Sequence, residues 1–429
     1  MSSTSSTNLP RIGIDFGTTN SSIAMAVAGE VRLLRFSDDR LSSRSILYLE
    51  KAAKGMQSSS GATAIERYLD AHREGNRPGR LIQSLKSYLT ARNLTGTEVF
   101  GRHYLLEELI ARILTDLRVH AEAQFGVSVR HATVGCPVRF VGSDSAEDDA
   151  FALDRLRAAF VRAGFEAVDF EFEPLGAAWS FQTRAGGQRA AETVLIGDFG
   201  GGTSDFSLLT LGPGAERKVL GTAGLPFAGD AFDARIVRKL VSPALGSESL
   251  ARGGKAIPAV PAWIYANLER WHYLSFLRTR AVLDLLTSAR KRALEPEKID
   301  ALLAIVDEDL GYQLHQAVQR TKLALSAAET ADFVFAGPDA GSVELRTSVT
   351  RAEFEGWIAP ELGQIAAAVD SLLASCGVAP DAVTRVFLTG GTSFVPAVRA
   401  LFEARFLGRV VTGDEFTSVA QGLALSGGA

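Results

Sequence analysis

Two aspartates carry the first chemical signal in this chain. Each closes an apolar run and opens a turn built from glycine and threonine. The first lies in Arg11-Ile12-Gly13-Ile14-Asp15-Phe16-Gly17, followed by Thr18-Thr19-Asn20-Ser21-Ser22. The second lies in Thr193-Val194-Leu195-Ile196-Gly197-Asp198-Phe199, followed by Gly200-Gly201-Gly202-Thr203. A turn of this composition brings several N–H groups and hydroxyls up to a phosphate without bulky side chains in the way. A carboxylate at the edge of such a cradle stands where a hydrated Mg²⁺ must be held. That ion keeps most of its waters, so Asp15 and Asp198 are expected to act through water. Asp205, just past the second turn, is a third carboxylate of the set. A further apolar strand, Arg385 to Thr389, runs into Gly390-Gly391-Thr392. A single glycine turn is also what an ordinary tight hairpin needs; two turns headed by Asp are a stronger sign of phosphate chemistry.

Competing chemistries lack their residues. There is no G-x-x-x-x-G-K-[ST] and no G-x-G-x-x-G after a strand, which argues against P-loop and Rossmann sites. No G-x-S-x-G elbow occurs. The histidines at 72, 103, 120, 131, 272 and 315 form no H-x-x-x-H pair and lie beside no CxxC, so a zinc site is unsupported.

The elements that must position the aspartates follow from the pattern. Each Asp-headed turn joins two strands, so each is the mouth of a β-hairpin. The plan of strand, Asp, aromatic, Gly, Thr, strand recurs 183 residues on, and a domain-sized internal duplication is its simplest cause. The spacing predicts further helices at Leu105–Phe125 and Asp148–Ala163, the latter ended by Gly164. It predicts strands at Ala132–Cys136 and within Phe333–Leu345, and mostly helix over Thr350–Cys376. Residues 42–101 look irregular, with helix around Ala64–His72. Residues 242–330 look helical. In that stretch Trp263, Leu268, Trp271, Tyr273, Leu274, Leu277, Val282, Leu285 and Leu286 form a stripe best read as core.

Composition sets the frame. At 429 residues, 46% hydrophobic and 22% charged, the chain has enough apolar material for large cores. Its net charge of −4 argues against nucleic acid as the main partner. Two cysteines, Cys136 and Cys376, exclude a disulfide framework and are expected to be buried thiols in a reducing compartment. No apolar run reaches membrane-spanning length. The Ser/Thr-rich start lacks a secretory pattern, so residues 1–10 are expected to be a disordered leader on a soluble, cytoplasmic, monomeric protein.

At this point the motifs carry a resemblance. Ile12-Gly13-Ile14-Asp15-Phe16-Gly17-Thr18-Thr19-Asn20-Ser21 resembles the first phosphate signature of the seventy-kilodalton heat-shock chaperones, in the actin and sugar-kinase superfamily. Ile196-Gly197-Asp198-Phe199-Gly200-Gly201-Gly202-Thr203-Ser204-Asp205 is similar to their second. Val386-Phe387-Leu388-Thr389-Gly390-Gly391-Thr392-Ser393-Phe394-Val395-Pro396 resembles their adenosine signature. Glu171-Phe172-Glu173-Pro174-Leu175-Gly176-Ala177-Ala178 resembles their connecting element.

The resemblance implies an α/β, actin-like ATPase fold with two duplicated ribonuclease-H-like lobes, each with an inserted subdomain. Lobe I is expected over 11–190 with an insert at about 45–110, and lobe II over 191–429 with a helical insert at about 236–320. It implies that Asp15, Gly17, Thr18, Thr19, Asn20, Gly200, Gly201, Gly202, Thr203 and Asp205 cradle the phosphates of ATP or ADP. Asp15, Asp198 and Asp205 are implied for Mg²⁺. Lys86, Glu173, Asp198 and Thr203 are implied for catalysis. Gly229, Asp230, Gln319, Lys322, Leu323, Ser326, Gly390, Gly391, Thr392, Phe394 and Phe416 are implied around the rest of the nucleotide. Pro137 resembles the proline that passes nucleotide state to a partner domain.

The chain departs from the family pattern where the adenosine is held. Gln319 and Leu323 replace charged residues, Phe394 replaces an arginine, and Phe416 stands where an acid is common. Aromatic and aliphatic contacts from Phe394, Phe416 and Leu323 are expected there in place of cation–π stacking. The chain stops at Gly427-Gly428-Ala429, which resembles the shortened bacterial YegD-type branch and predicts no peptide-binding domain. The expected function is Mg²⁺-dependent ATP binding and slow hydrolysis between lobes, coupled to a protein partner's surface. The alternatives are a nucleotide-gated interaction protein with little hydrolysis, a small-molecule kinase of the same superfamily, and a filament former.

Overall fold

The computed structural model describes residues 10–52, 55–73, 79–184, 191–211, 217–253, 256–270, 273, 277–337, 343–412 and 417–426. The leader expected at 1–10 and Phe416 therefore fall outside the described residues, save Pro10. The chain forms two compact units: residues 1–229, 363–394 and 398–429 make the first, and 230–362 with 395–397 make the second.

The first unit holds two sheets of the same design. In one, the hairpin β1 (Arg11–Phe16) and β2 (Asn20–Val27) continues antiparallel into β3 (Glu30–Leu33), with the short β4 (Ser43–Arg44) also on β2. After β5 (Ile46–Ala52), β6 (Gly55–Ser60), helix α1 (Gly61–Arg73), β7 (Gly79–Gln83), β8 (Gly96–Val99), β9 (Arg102–Leu105) and α2 (Leu106–Phe125), the chain returns as β10 (His131–Cys136), parallel to β1. It then passes through α3 (Ala146–Arg162) to β11 (Ala167–Phe172), parallel to β10. The order is β11-β10-β1-β2-β3.

Helix α4 (Glu173–Arg184) leads to the second sheet. Its hairpin is β12 (Glu192–Phe199) and β13 (Ser204–Leu211), followed by β14 (Arg217–Leu225). Its order is β14-β13-β12-β17-β18, with β17 (Arg385–Thr389) and β18 (Val410–Thr412) parallel to β12. Three antiparallel strands followed by two parallel ones, each set opened by an Asp-headed hairpin, is the duplication made visible. The β12 and β13 strands are almost wholly buried, as strands covered on both faces must be.

One helix ties the two sheets together. It is the last in the chain, Ser418–Ser426, and becomes α13 below. Its Ala420 and Ala424 pack on Ala24 and Ala26 of the first sheet. Its Val419 and Leu423 join Ala177, Phe181, Val194, Ile196 and Phe387 around the second. The helix crosses α4 so closely that a Cβ on Gly422 would run into the Gly176 carbonyl. Only glycine lets the two helix backbones meet there.

The second unit is mainly helical. α5 (Gly229–Ile236) runs through a π-helical turn (Val237–Val241) into α6 (Ser242–Ala244). Then come α7 (Ala262–Glu269), α8 (Arg280–Arg292), α9 (Pro296–Asp307), α10 (Gly311–Ala327) and the hairpin β15 (Thr330–Ala336) and β16 (Glu344–Thr350). α11 (Arg351–Ser375) follows, and after β17 come α12 (Pro396–Arg405), β18 and α13 (Ser418–Ser426).

Four expectations need correction. Residues 42–101 are not irregular: β5 pairs with β6 and β7, and β8 with β9. Their strands are short and interrupted by polar turns, so no long period shows in the sequence. Residues 249–252 and 257–259 are extended, not helical. The stripe from 263 is not one buried face. Leu268, Leu277, Val282 and Leu286 are buried, but Trp263 is 47% exposed; Trp271 and Leu274 lie outside the described residues. Cys136 is buried as expected, whereas Cys376 is only half-buried.

Candidate functional site

Each hairpin mouth is fixed by its own backbone. At the first, Gly17 N donates to Asn20 O (3.0 Å), and Asp15 sits across the ladder from Ser22. At the second, Gly200 N donates to Thr203 O (3.0 Å), and Asp198 sits across from Asp205. Alternation along a strand turns Asp one way and its neighbours the other. Phe16 and Phe199, next to the aspartates, are fully buried and anchor both strand ends in the core.

Surrounding loops brace these mouths. Ser45 Oγ donates to Gly17 O (2.7 Å) and Ser45 N to Thr19 O (3.0 Å). The third glycine turn braces the second mouth, because Thr392 Oγ1 donates to Gly200 O (3.0 Å). Gly390 there has φ +84° and packs its Cα against the Phe199 backbone.

The two mouths face one another. A Cβ placed on Gly202 would lie 2.9 Å from Thr18 Oγ1 and 2.8 Å from Val141 Cγ2. Glycine at 202 is therefore what lets the second turn close on the first. The loop after β10 joins them as well: Val138 N, just past Pro137, donates to Asp205 Oδ1 at 2.7 Å.

Between the mouths lies a cluster of carboxylates with one ammonium. Lys86, on a short 3₁₀ turn (Leu85–Tyr88) after β7, donates through Nζ to Glu173 Oε1 at 2.7 Å, and both residues are buried. Glu173 opens α4, where an acid in the first turn suits the helix dipole. Asp15 is pushed up to about 7, by burial first and then by the charge of Glu173, with Lys86 opposing. Asp205 is pushed up to about 8 by burial and Glu173, against the hydrogen bonds from Thr203 and Val138. Asp198 is raised well above the ordinary carboxylate range by burial, then by Glu173, Asp15 and Asp205. Burial alone would depress Lys86, but Glu173 and Asp15 outweigh it and hold the ammonium above its usual range. The Cys136 thiol, at the end of β10, is pushed up to about 12 by burial and by Glu173.

Three buried acids, Glu173, Asp198 and Asp205, and the half-buried Asp15 share one lysine, and such a group is short of positive charge. A divalent cation is the natural complement. Among the described residues no three His, Cys, Asp or Glu side chains converge closely enough to ligate one ion directly. Carboxylates spread in this way suit an ion held through its own waters. Polar atoms are also left waiting: Thr19 Oγ1, Gln83 Oε1 and Ser84 Oγ are buried with no hydrogen-bond partner among the described residues. Ser84 further holds φ 53°, an uncommon backbone for serine, directly before the Lys86 turn.

The sequence model of the Hsp70 protein family matches residues 81–250 and 289–429. The chain belongs to the Hsp70 family. Its fold is thus the actin-like ATPase fold, and the family is one that binds ATP and ADP and is chaperone-like. The match covers Lys86, Glu173, both β12 and β13, and the third glycine turn. The first hairpin precedes the matched segment, and its place in the site rests on the geometry that sets Thr18 against Gly202.

The structure brings together Asp15, Thr18, Lys86, Glu173, Asp198, Gly202, Thr203 and Asp205, all in the first unit. Gly229, whose amide approaches Gly200 O at 3.4 Å, lies there too, as does Phe394, which is 37% exposed. Gln319, Lys322, Leu323 and Ser326 lie on α10 in the second unit, along with Asp230. There Lys322 Nζ is held by the buried carboxylate of Asp233 (2.7 Å), while Leu323 is 70% exposed.

Sequence reasoning missed Arg155 on α3. Its guanidinium is buried, pairs with Glu107 Oε1 (2.5 Å) and donates to the carbonyls of Tyr88, Leu89, Ala91 and Leu94 at 3.1–3.3 Å. Those carbonyls belong to the segment that follows Lys86, so Arg155 pins the turn carrying the ammonium. The only hint in the sequence is an arginine at a core-facing helical position beside Ala152, Leu156 and Ala159.

Proposed function

We propose that the chain binds Mg²⁺-ATP with its phosphates between the two hairpin mouths and hydrolyses it slowly to ADP and phosphate. The observation that carries the reading is the facing pair of mouths with the Asp15, Asp198, Asp205, Glu173 and Lys86 cluster between them. Backbone N–H groups of the Gly17–Asn20 and Gly200–Thr203 turns, with the unpartnered Thr19 hydroxyl, would grip phosphate oxygens. Asp15 and Asp198 would hold the metal's water shell, with Asp205 behind them fastening Val138. Mg²⁺, when bound, would supply positive charge to the phosphates and settle the charge deficit of the acids.

Lys86 would stabilise negative charge as the terminal phosphoryl group moves to water. Glu173 would orient Lys86 and accept a hydrogen bond from the attacking water. Thr203, next to the second turn, would contribute its hydroxyl to the terminal phosphate, and Asp198 would take the proton from water as the phosphoryl group is transferred. The same pair also favours a slow enzyme: Lys86 and Glu173 are bonded to each other, so each must be redirected toward the nucleotide before it can act. Pro137 and Val138 link the second mouth to β10, a route by which nucleotide state would reach a protein partner's surface.

Single-turnover hydrolysis tests the reading. Lys86→Ala should slow phosphate release about a hundredfold or more while ATP still binds. An unchanged rate would leave only a nucleotide-binding protein with little hydrolysis. Phosphate appearing on an added small molecule in place of free phosphate would point to a kinase.

A further inference from the structure

The second unit carries a small extended platform that nucleotide chemistry leaves unused. Residues 249–252 lie between 257–259 and 292–294. Leu250 bridges Pro258 and Ala251 bridges Ala293, both antiparallel. Ala251 N donates to Ile257 O (2.8 Å), Ala259 N to Ser249 O (2.8 Å), Arg252 N to Arg292 O (2.7 Å) and Leu294 N to Leu250 O (2.8 Å). Side chains alternate between the two faces of such a ladder. Ser249, Ala259 and Ala293 are buried, whereas Leu250, Arg252, Pro258, Arg292 and Leu294 are exposed. The register therefore sets Leu250 opposite Leu294 and Arg252 opposite Arg292 on the outer face, with Cα atoms about 5.5 Å apart in each pair.

Neither pair is favourable when left to water. Leu294 is 58% and Leu250 37% exposed, with Ile257 at 55% beside them. Like charges directly opposed across a ladder repel. Lys291, exposed next to Arg292, adds a third cation. Among the described residues none of Arg252, Lys291 and Arg292 forms an ion pair. Arg292 Nε reaches only the Ser288 carbonyl, at 3.4 Å. The neighbouring cations are already satisfied, Arg290 by Asp300 and Lys298 by Glu295. This basic spot stands out on a chain whose net charge is −4.

We propose that this face docks a segment of a partner protein that carries Asp or Glu next to leucine-like side chains. Its carboxylates sit on the Arg252–Arg292 pair, whose forked guanidinium groups accept carboxylates in two-pronged fashion. Its apolar side chains cover Leu250 and Leu294. The neighbouring unlike demands, apolar beside cationic, are what an acidic-apolar peptide meets together. An anionic bilayer supplies the charge, but it meets the exposed Glu248 two residues ahead of Leu250, and two leucines with Ile257 and a proline offer it little to insert.

The probe is a fluorescein-labelled peptide that alternates acidic residues with leucine. It is titrated with the full chain and read by fluorescence anisotropy. A peptide with lysine in place of each acid, and vesicles of phosphatidylserine and phosphatidylcholine, run alongside. The acidic peptide should bind, with affinity falling as salt rises. It should bind at least tenfold more weakly to the Arg252→Glu/Arg292→Glu variant and to Leu250→Ser/Leu294→Ser. The milder Arg252→Gln/Arg292→Gln variant should show the same trend with an unchanged thermal transition. No binding by the wild type, equal binding of the lysine peptide, unchanged affinity in the arginine variants, or vesicle binding without peptide binding would each overturn the proposal.

Discussion

Removing one charge from the crowded acid cluster should make the nucleotide-free protein more stable. Asp15→Asn is the cleanest such change, because Asn keeps the shape of Asp15 and removes its charge. In the fold the Asp15 carboxyl sits at about 7, raised from 3.8 by burial and by Glu173. Below about pH 4 it is protonated folded or unfolded and costs nothing. Between pH 4 and 7 the folded state holds a proton that the unfolded chain has released, so stability falls as pH rises. Above pH 7 the full burden of the charge is present. A change of about three powers of ten in proton affinity corresponds to about 4 kcal/mol. Asp198 and Asp205, both raised by the same crowding, share the cluster, and Asp15 is only half-buried, so the expected gain from Asp15→Asn at pH 8 is smaller, about 1–3 kcal/mol. For compact units of this size that is a rise of roughly 2–10 °C in Tm.

The assay is calorimetric unfolding without nucleotide or divalent ion, for wild type and variant, at pH 5 and pH 8. The variant should melt higher at pH 8, and the gap should close toward pH 5. With Mg²⁺-ATP the order should reverse, since only the wild type gains its full ligand stabilisation. A variant less stable than wild type at pH 8, or a gap that does not depend on pH, would refute the reasoning.

Three further outcomes follow from the same geometry. Gly202→Ala places a methyl 2.9 Å from Thr18 Oγ1 and 2.8 Å from Val141 Cγ2, and should weaken ATP binding at least tenfold by calorimetry while β12 and β13 stay folded. Arg155→Ala strips Glu107 of its partner and frees four carbonyls after Lys86. It should cost about 3 kcal/mol in denaturant unfolding, and Arg155→Lys should recover only part because lysine lacks the fork. Cys136, its thiol pushed up to about 12, should resist a thiol reagent at pH 8 in the native protein while the half-buried Cys376 reacts; equal labelling of both would contradict the burial of β10's end.

Much of the site was legible because its parts are backbone turns. Asp15, Asp198 and the glycine turns announce themselves in short contiguous stretches, and the doubled hairpin plan shows up at a fixed spacing. What was hidden comes from distant pieces meeting. Nothing near Asp205 in the chain says that Val138 N will reach it, and nothing near Lys86 says that Arg155 will hold the loop behind it. The small sheets within residues 46–105 escaped notice because their strands are short and their exposed faces polar. The exposed Trp263 and the extended residues 249–252 and 257–259 misled for the opposite reason. Apolar residues at near-helical spacing read as one buried face, while a run with Pro258 and Pro261 bends the chain before α7 begins.

The claim that everything else depends on is that the paired turns recognise phosphates. Calorimetric titration of ATP, ADP and adenosine, each with and without Mg²⁺, tests it most directly. ATP and ADP should bind far more tightly than adenosine, the difference should shrink without Mg²⁺, and Asp198→Ala should erase it. Adenosine binding as tightly as ATP, or Asp198→Ala binding ATP like the wild type, would contradict the account.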